Sequence, residues 1–218
     1  MQSHFVHNYQ EELYFISPSP ETTYYDLIMA LKISLYGEPI LTQKGKKITN
    51  FSNDLQKLYQ DMLDTMYKEE GIGLAAQQVG LALQFCVIDV PSHPEYPITC
   101  ILDGHPISPQ LLMPMVLINP TVDFLPSDEY YYEEGCLSFP EIKADVARPE
   151  LIIVRYQDID GNPHNLECDG LLGRCVQHEV DHLNGILFID RMEKEAYSEI
   201  KKDIQALKKL TLSNKKNK

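Results

Sequence analysis

Residues 171–190 read LLGRCVQHEVDHLNGILFID, and the H-E-x-x-H pattern inside this stretch decides how the rest of the chain is interpreted. The stretch predicts a helix. Asp169 is a good N-cap, apolar residues recur along the segment, and Asn184 followed by Gly185 is typical of a helix C-terminus.

The pattern consists of His178, Glu179 and His182. Residues four apart on a helix lie about 40° apart around the axis, so both imidazoles can bind a single metal ion. Glu179 lies about 100° from His178, close enough to reach a water at the metal without ligating the metal itself. A five-residue pattern also occurs by chance, so two unrelated histidines on a surface helix are the alternative interpretation.

A third ligand is not specified by the pattern. All other histidines lie upstream, whereas Glu193, Glu195 and Glu199 remain open as downstream acidic ligands. Cysteine binds the same metals as histidine. Cys175 lies seven residues from His182, about 10.5 Å along a helix, which places it at a wall rather than at the metal. Cys136, beside a glycine after a predicted strand, is the better candidate.

The composition indicates a soluble globular protein. The chain has 218 residues, 44% of them hydrophobic, and a net charge of −13, which disfavours a general nucleic-acid binder. Five cysteines without regular spacing favour a reducing compartment. No run reaches the ~18 apolar residues of a membrane span, and no signal peptide is recognisable. We therefore expect a cytoplasmic protein without a membrane segment.

The chain is divided into a loosely ordered extension (1–28), a catalytic domain (29–200) and a C-terminal helix with a Lys-rich tail (193–218). Met29 is a plausible alternative start because organised sequence begins there. Within the domain, residues 91–114 contain six prolines and are interpreted as an extended surface loop that could cover or widen a substrate cleft.

Hydrophobic periodicity predicts helices at 53–68 and about 193–210 in addition to the H-E-x-x-H helix. We interpret the methionines of the first helix as core residues. Predicted strands lie at 84–90, 115–118, 130–134, 151–156 and 164–168, the last two joined by a hairpin turn at Asp160-Gly161. Cys86 falls in a core strand, while Cys100 and Cys168 are expected to lack a partner. The fold class is therefore α+β, a single domain with antiparallel or mixed sheets around a central H-E-x-x-H helix, plus an N-terminal and a C-terminal helix.

Three segments together resemble the peptide deformylase family: GIGLAAQQ at 71–78, EGCLS at 134–138 and QHEVDH at 177–182. They occur in the order of that family, and the similarity covers roughly residues 31–210. The resemblance implies removal of the formyl group from N-formylmethionyl nascent peptides. It also implies a metal held by Cys136, His178 and His182, with Fe²⁺ typical and Zn²⁺ or Ni²⁺ able to substitute.

Roles for further residues follow from the same resemblance. A divalent metal generates hydroxide from its bound water, and this hydroxide attacks the formyl carbon. Glu179 acts as general base and acid, while the Gln78 amide and the Leu137 backbone N–H stabilise the oxyanion.

Substrate binding is assigned to residues around these groups. Gly73 would allow close approach of the substrate backbone, and Ile72 would contact an extended peptide. Cys175 and the aliphatic stem of Arg174 are candidate walls of the methionine pocket. Glu134 would fix the loop by pairing with Arg148 or Arg174, a choice that the sequence leaves open. For all of these, plain packing is the alternative interpretation.

The chain departs from the family pattern at three positions. Gln77 replaces a frequent proline at a variable position, where we expect little effect. Gly173 replaces a frequent alanine, which should destabilise the helix by ~1 kcal/mol. Lys143 stands where many members carry arginine, which puts a bidentate contact there in doubt.

The Lys-rich C-terminus has seven lysines and one aspartate from Lys201 onward. It is either a solvated helix or, by analogy with bacterial members of the family, a surface that docks on the ribosome. Two other functions remain open: an endopeptidase of the H-E-x-x-H type, which would leave EGCLS unexplained, and a metal-binding or ribosome-associated protein without catalysis, which would not need Glu179 and Gln78.

Overall fold

The computed structural model describes residues 31–92 and 97–216, so the predicted extension and the alternative start at Met29 lie outside the described residues. Its helices are α1 (Asn53–Lys68), α2 (Gly170–Leu183) and α3 (Lys194–Lys216). Its strands are β1 (Gly73–Ala75), β2 (Phe85–Ile88), β3 (Cys100–Leu102), β4 (His105–Pro106), β5 (Met115–Phe124), β6 (Glu129–Gly135), β7 (Lys143–Pro149), β8 (Ile152–Gln157) and β9 (Pro163–Cys168). None of the helices in these ranges is long and apolar enough to span a membrane.

The strands form one seven-stranded sheet, in the order β1-β2-β5-β8-β9-β3-β4, and a separate two-stranded sheet of β6 and β7. All strand pairs are antiparallel. The predicted hairpin of β8 and β9 is present, and Gly161 in its turn has φ +89°. The α+β class predicted from the sequence is confirmed.

Helix α2 lies at the centre of the domain, and every residue from 172 to 183 is buried. Its apolar side chains join the core cluster that contains residues of β2, β5, β8 and β9. Asp169 is the N-cap, but its carboxylate accepts the Thr99 N–H instead of a helical one. Gly185 ends the helix at φ +74°, where a Cβ would come 2.5 Å from the Thr42 carbonyl oxygen. Both predicted ends are therefore confirmed.

The two outer helices also follow the prediction. α1 has the predicted bounds, and Met62 and Met66 are fully buried in the core. α3 packs against the cluster of Phe139 and Phe188 through Ile204. It continues to Lys216, beyond the predicted end, because no glycine or proline interrupts its sequence.

The prediction of an extended surface loop over 91–114 is wrong in part. Residues 100–106 form the β3–β4 hairpin at the edge of the large sheet. Proline is tolerated there because Pro106 lies on an edge strand, which needs no ladder hydrogen bond on its outer side. Cys100 and Cys168 lie directly opposite each other on β3 and β9, and both are free cysteines, as expected for positions without a partner.

Candidate metal centre and adjoining cleft

Three potential metal ligands converge beside α2. The Cys136 Sγ and one ring nitrogen of each of His178 and His182 all lie within 4.8 Å of one another. The Cys136 Sγ is 3.3 Å from Nε2 of His182. Burial lowers the pKa of His182 well below its usual range, so this imidazole stays neutral and keeps a lone pair that can bind a metal ion. One sulfur and two imidazole nitrogens suit Fe²⁺, Zn²⁺ or Ni²⁺.

Cys136 reaches this position because strand β6 ends at Gly135, one residue earlier. The chain then turns back, with the Phe139 N–H donating to the Cys136 carbonyl at 2.8 Å and the Phe139 ring buried. Cys175, one turn before His178, is not part of the group. Its Sγ contacts the Ile72 carbonyl at 3.5 Å, and burial raises the pKa of its thiol.

A buried carboxylate, that of Glu134, holds the His178 ring through its Nδ1. This Nδ1 lies 3.1 Å from Oε2 of Glu134. Arg148 donates to Glu134 twice, at 2.6 and 3.0 Å, and Arg174 donates once, at 2.7 Å. Burial alone would raise the pKa of Glu134, but hydrogen bonds from His178 and Arg148 hold it well below its usual range. The ionised carboxylate thus orients the imidazole. Both arginines considered in the sequence pair with Glu134.

Glu179 is buried beside this group, and its Oε2 has no hydrogen-bond partner among the described residues. Burial raises the pKa of Glu179 to about 7. Gly73 faces it across the cleft: a Cβ at this position would clash with Oε1 of Glu179 and come 2.8 Å from the Cys175 Sγ. Position 73 therefore requires glycine, because the backbone there lies so close to Glu179 and Cys175. A carboxylate with a pKa near 7, such as that of Glu179, can accept and return a proton.

Gln78 points its amide nitrogen at the sulfur of Cys136. Its Oε1 accepts the Ala75 N–H at 2.8 Å, which fixes the orientation of the amide. Its Nε2 donates to the Cys136 Sγ at 3.5 Å and to the Ser138 hydroxyl at 3.4 Å. Sequence reasoning gave Ser138 no role. Its place in the EGCLS segment was the signal that could have revealed it.

A cleft of about 560 Å³ opens from this centre. Every predicted site residue except His182 lines it: Ile72, Gly73, Gln78, Glu134, Cys136, Leu137, Arg174, Cys175, His178 and Glu179. None of the described residues of 91–114 lines this cleft.

Arg174 lines the cleft, as predicted. Its guanidinium is buried in the ion pair with Glu134 and lies near the rings of Tyr130 and Tyr132, at 4.8 and 5.6 Å from their centroids. Tyr132, which also lines the cleft, was missed because three consecutive tyrosines on one strand give no sign of which ring faces a site.

The departures from the family pattern have local explanations. Gln77 is fully buried, and its Nε2 donates to the carbonyls of Gln43 and Leu183, both at 3.3 Å. A Cβ on Gly173 would come 3.2 Å from the carbonyl oxygens of Cys168 and Glu150, so close packing offsets the helix propensity that alanine would add. The Lys143 ammonium lies 3.4 Å from the Glu133 carboxylate on the exposed side of the small sheet.

Comparisons with known proteins agree on one family. The polypeptide deformylase family matches residues 30–197. The peptide deformylase of Opitutus terrae is 52% identical over 84% of this chain and 95% of its own length. Among solved structures, Arabidopsis thaliana peptide deformylase 1B with an inhibitor superposes with a TM-score of 0.72, 36% identity and coverage of 84% and 93% of the two chains. The Synechococcus elongatus peptide deformylase with actinonin has a TM-score of 0.65, 40% identity and coverage of 78% and 85%.

Proposed function

The chain belongs to the polypeptide deformylase family, whose enzymes remove N-formyl groups, and we propose that it acts on the N-terminal formylmethionine of newly synthesised proteins. One observation supports this most: a buried carboxylate with an unpartnered oxygen, that of Glu179, adjoins the Cys136, His178 and His182 group in an open cleft. Such an arrangement serves hydrolysis rather than mere metal storage.

Cys136, His178 and His182 would hold the metal, with Fe²⁺ as the expected ion and Zn²⁺ or Ni²⁺ as substitutes. When bound, the metal supplies Lewis acidity that activates water near neutral pH. The thiolate contributes more charge than a third imidazole would. It also makes a site loaded with iron sensitive to oxidation.

The protein residues carry the proton and the developing charge. Glu179 takes a proton from the attacking water, whose oxygen bonds to the formyl carbon. As the C–N bond breaks, Glu179 returns the proton to the amine, and formate leaves. The Nε2 of Gln78 and the N–H of Leu137 stabilise the negative charge that develops on the formyl oxygen. The pKa of about 7 for Glu179 suits both proton transfers.

The peptide would bind along β1. This strand is the end member of the large sheet, with no strand on its outer edge among the described residues, so an extended peptide can lie there. Gly73 permits close approach, and the half-exposed Ile72 contacts the substrate. Cys175 and Arg174 form the wall for the methionine side chain.

Formate release from formyl-Met peptides by anaerobically purified protein tests this function. We expect release with formylated peptides only, and no internal cleavage of an unfolded protein such as casein. Internal cleavage without formate release would instead support the endopeptidase alternative.

We also propose that α3 docks on ribosomal RNA. Lys201, Lys202 and Lys209 are exposed on it, whereas Lys208 lies over the Tyr36 ring and Ile204 is core. Replacing the three exposed lysines with Gln should weaken co-sedimentation with ribosomes, most clearly at low salt.

The matched control replaces three exposed lysines elsewhere, Lys44, Lys47 and Lys68, in the same way. Equal co-sedimentation of both triple variants would contradict the docking proposal.

A further inference from the structure

A continuous chain of charged side chains runs from the protein surface to His178. Arg191 donates to Asp181 through Nη2 at 2.6 Å and Nε at 3.1 Å. Asp181 also accepts from Nη1 of Arg148 at 2.8 Å. The other two nitrogens of the same guanidinium hold Glu134, which contacts Nδ1 of His178. The contacts thus extend across α2.

Burial changes along this chain. The side chains of Glu134, Arg148 and Asp181 are at most 10% exposed, whereas that of Arg191 is 44% exposed. Arg191 lies at a second cleft, of about 670 Å³, which is lined by the opposite face of α2 from the metal centre. Neither Asp181 nor Arg191 hydrogen-bonds to Cys136, His178 or His182, so their ionic contacts reach these ligands only through Arg148 and Glu134.

Arg148 is shared by two carboxylates that compete for it. Arg191 neutralises Asp181 with two hydrogen bonds, which leaves the Nε and Nη2 of Arg148 to Glu134. Without Arg191, Asp181 is a buried carboxylate that lacks a partner for Oδ1, and it draws the Arg148 guanidinium toward itself. Glu134 then loses the contacts that orient it against His178.

We infer that Arg191 is a positioning residue that sets the metal affinity of the site, because it keeps the Arg148 guanidinium hydrogen-bonded to the Glu134 carboxylate. The inference rests on the metal centre of the proposed function. Phe188, three residues before Arg191, stacks against the His178 ring at 6.3 Å between centroids. The segment that follows α2 thus contacts the imidazole directly and through the ionic chain.

Competition for Zn²⁺ between the protein and a chromogenic chelator tests this without measuring catalysis. We expect Arg191→Gln to weaken Zn²⁺ binding about 10-fold. The matched control is Arg155→Gln, which removes an exposed arginine that pairs with Asp123 and lines neither cleft, and it should leave the affinity unchanged. Equal affinities of wild type and Arg191→Gln would overturn the inference. Wild-type protein that binds no Zn²⁺ would instead overturn the proposed metal centre.

A second substitution separates competition from loss of general support. Asp181→Asn removes the charge that competes for Arg148, so the double variant Asp181→Asn/Arg191→Gln should recover most of the lost affinity. A merely structural role predicts that the double variant binds no better than Arg191→Gln, and that result would overturn the inference. If Arg191→Gln does not fold, Arg191→Met tests the same link. It removes the charge that neutralises Asp181 but keeps a long side chain, and we again expect about 10-fold weaker binding; unchanged binding would overturn the inference.

Discussion

On the cleft face of α2, Glu179 keeps its buried Oε2 without a partner among the described residues. On the opposite face, Asp181 accepts three hydrogen bonds from two arginines, and Gln177 donates to the carbonyls of Pro149 and Gly173. Leaving a buried polar group unsatisfied costs about 1–3 kcal/mol, so the cleft face sacrifices stability that the opposite face retains. The helix is thus held by one face so that the other can present groups to a ligand.

Glu179 carries the unpartnered carboxylate of the cleft face, and its substitution removes that group directly. Glu179→Gln keeps the shape of the side chain but cannot accept a proton. We expect kcat for formate release to fall by about 10²- to 10⁴-fold while metal content is retained. Glu195→Gln, which alters an exposed glutamate on α3, serves as the control. Loss of metal in Glu179→Gln would mean that Glu179 belongs to the ligand set.

A second variant disturbs the cleft face without removing any functional group. In Gly73→Ala, the new methyl would meet Oε1 of Glu179 and the Cys175 Sγ, so the carboxylate has to move. Misplacement of a catalytic group by about 1 Å can cost on the order of 100-fold in rate, and we expect kcat/KM to fall by that amount. Metal content should not change, because the clash involves none of the three ligands. Activity within a few-fold of wild type would show that Glu179 is not held as closely as described.

Glu134 connects the two faces, so its substitution should affect both. Glu134→Gln removes the charge that neutralises the buried Arg148 and Arg174 and weakens the hold on His178. We expect metal affinity to fall about 10- to 100-fold and the free energy of unfolding to fall by about 3 kcal/mol. Metal titration and denaturant unfolding of the metal-free protein measure the two effects separately. A loss of affinity without a loss of stability would mean that the arginines find other partners.

The two faces also differ in what the sequence could predict. His178, Glu179 and His182 follow from helical spacing, and the helix end at Gly185 follows from the local preference for glycine after a helix C-terminus. These features depend on neighbours within one or two turns.

The contacts that satisfy the buried charges around α2 join residues distant in sequence. Glu134 is 14 residues from Arg148 and 40 from Arg174, and both bind it at once. A list of charged residues cannot indicate which of them share a partner, since the tertiary arrangement decides that. The β3–β4 hairpin was missed for a similar reason: proline excludes a central strand, but whether a segment lies at a sheet edge is fixed only by the fold.

The smallest expected effect lies away from α2 and provides a reference for both faces. Both ring nitrogens of His164 contact carboxylates, Asp103 at 2.8 Å and Asp158 at 3.3 Å. The hydrogen bond to Asp103 raises the pKa of His164. Partial burial acts in the opposite direction, and the hydrogen bond to Asp158 raises the pKa further. Because the folded pKa lies above the unfolded value of about 6.5, the stabilisation is fully present below pH 6.5 and is lost as the pH rises through the folded pKa.

The His164 and Asp103 side chains are 25% and 43% exposed, so solvent screens the pair and we expect it to contribute only about 0.5 kcal/mol to the free energy of unfolding. Urea unfolding of His164→Gln across pH 5 to 8 should show a flatter pH dependence than wild type, whereas Lys57→Gln, which removes an exposed cation on α1, should match the pH dependence of wild type. Formate release at a fixed pH should be the same in all three proteins, because this contact touches neither face of α2. A fall in activity of His164→Gln would show that the outer hairpins support the metal helix, and the separation between its two faces would then be too simple.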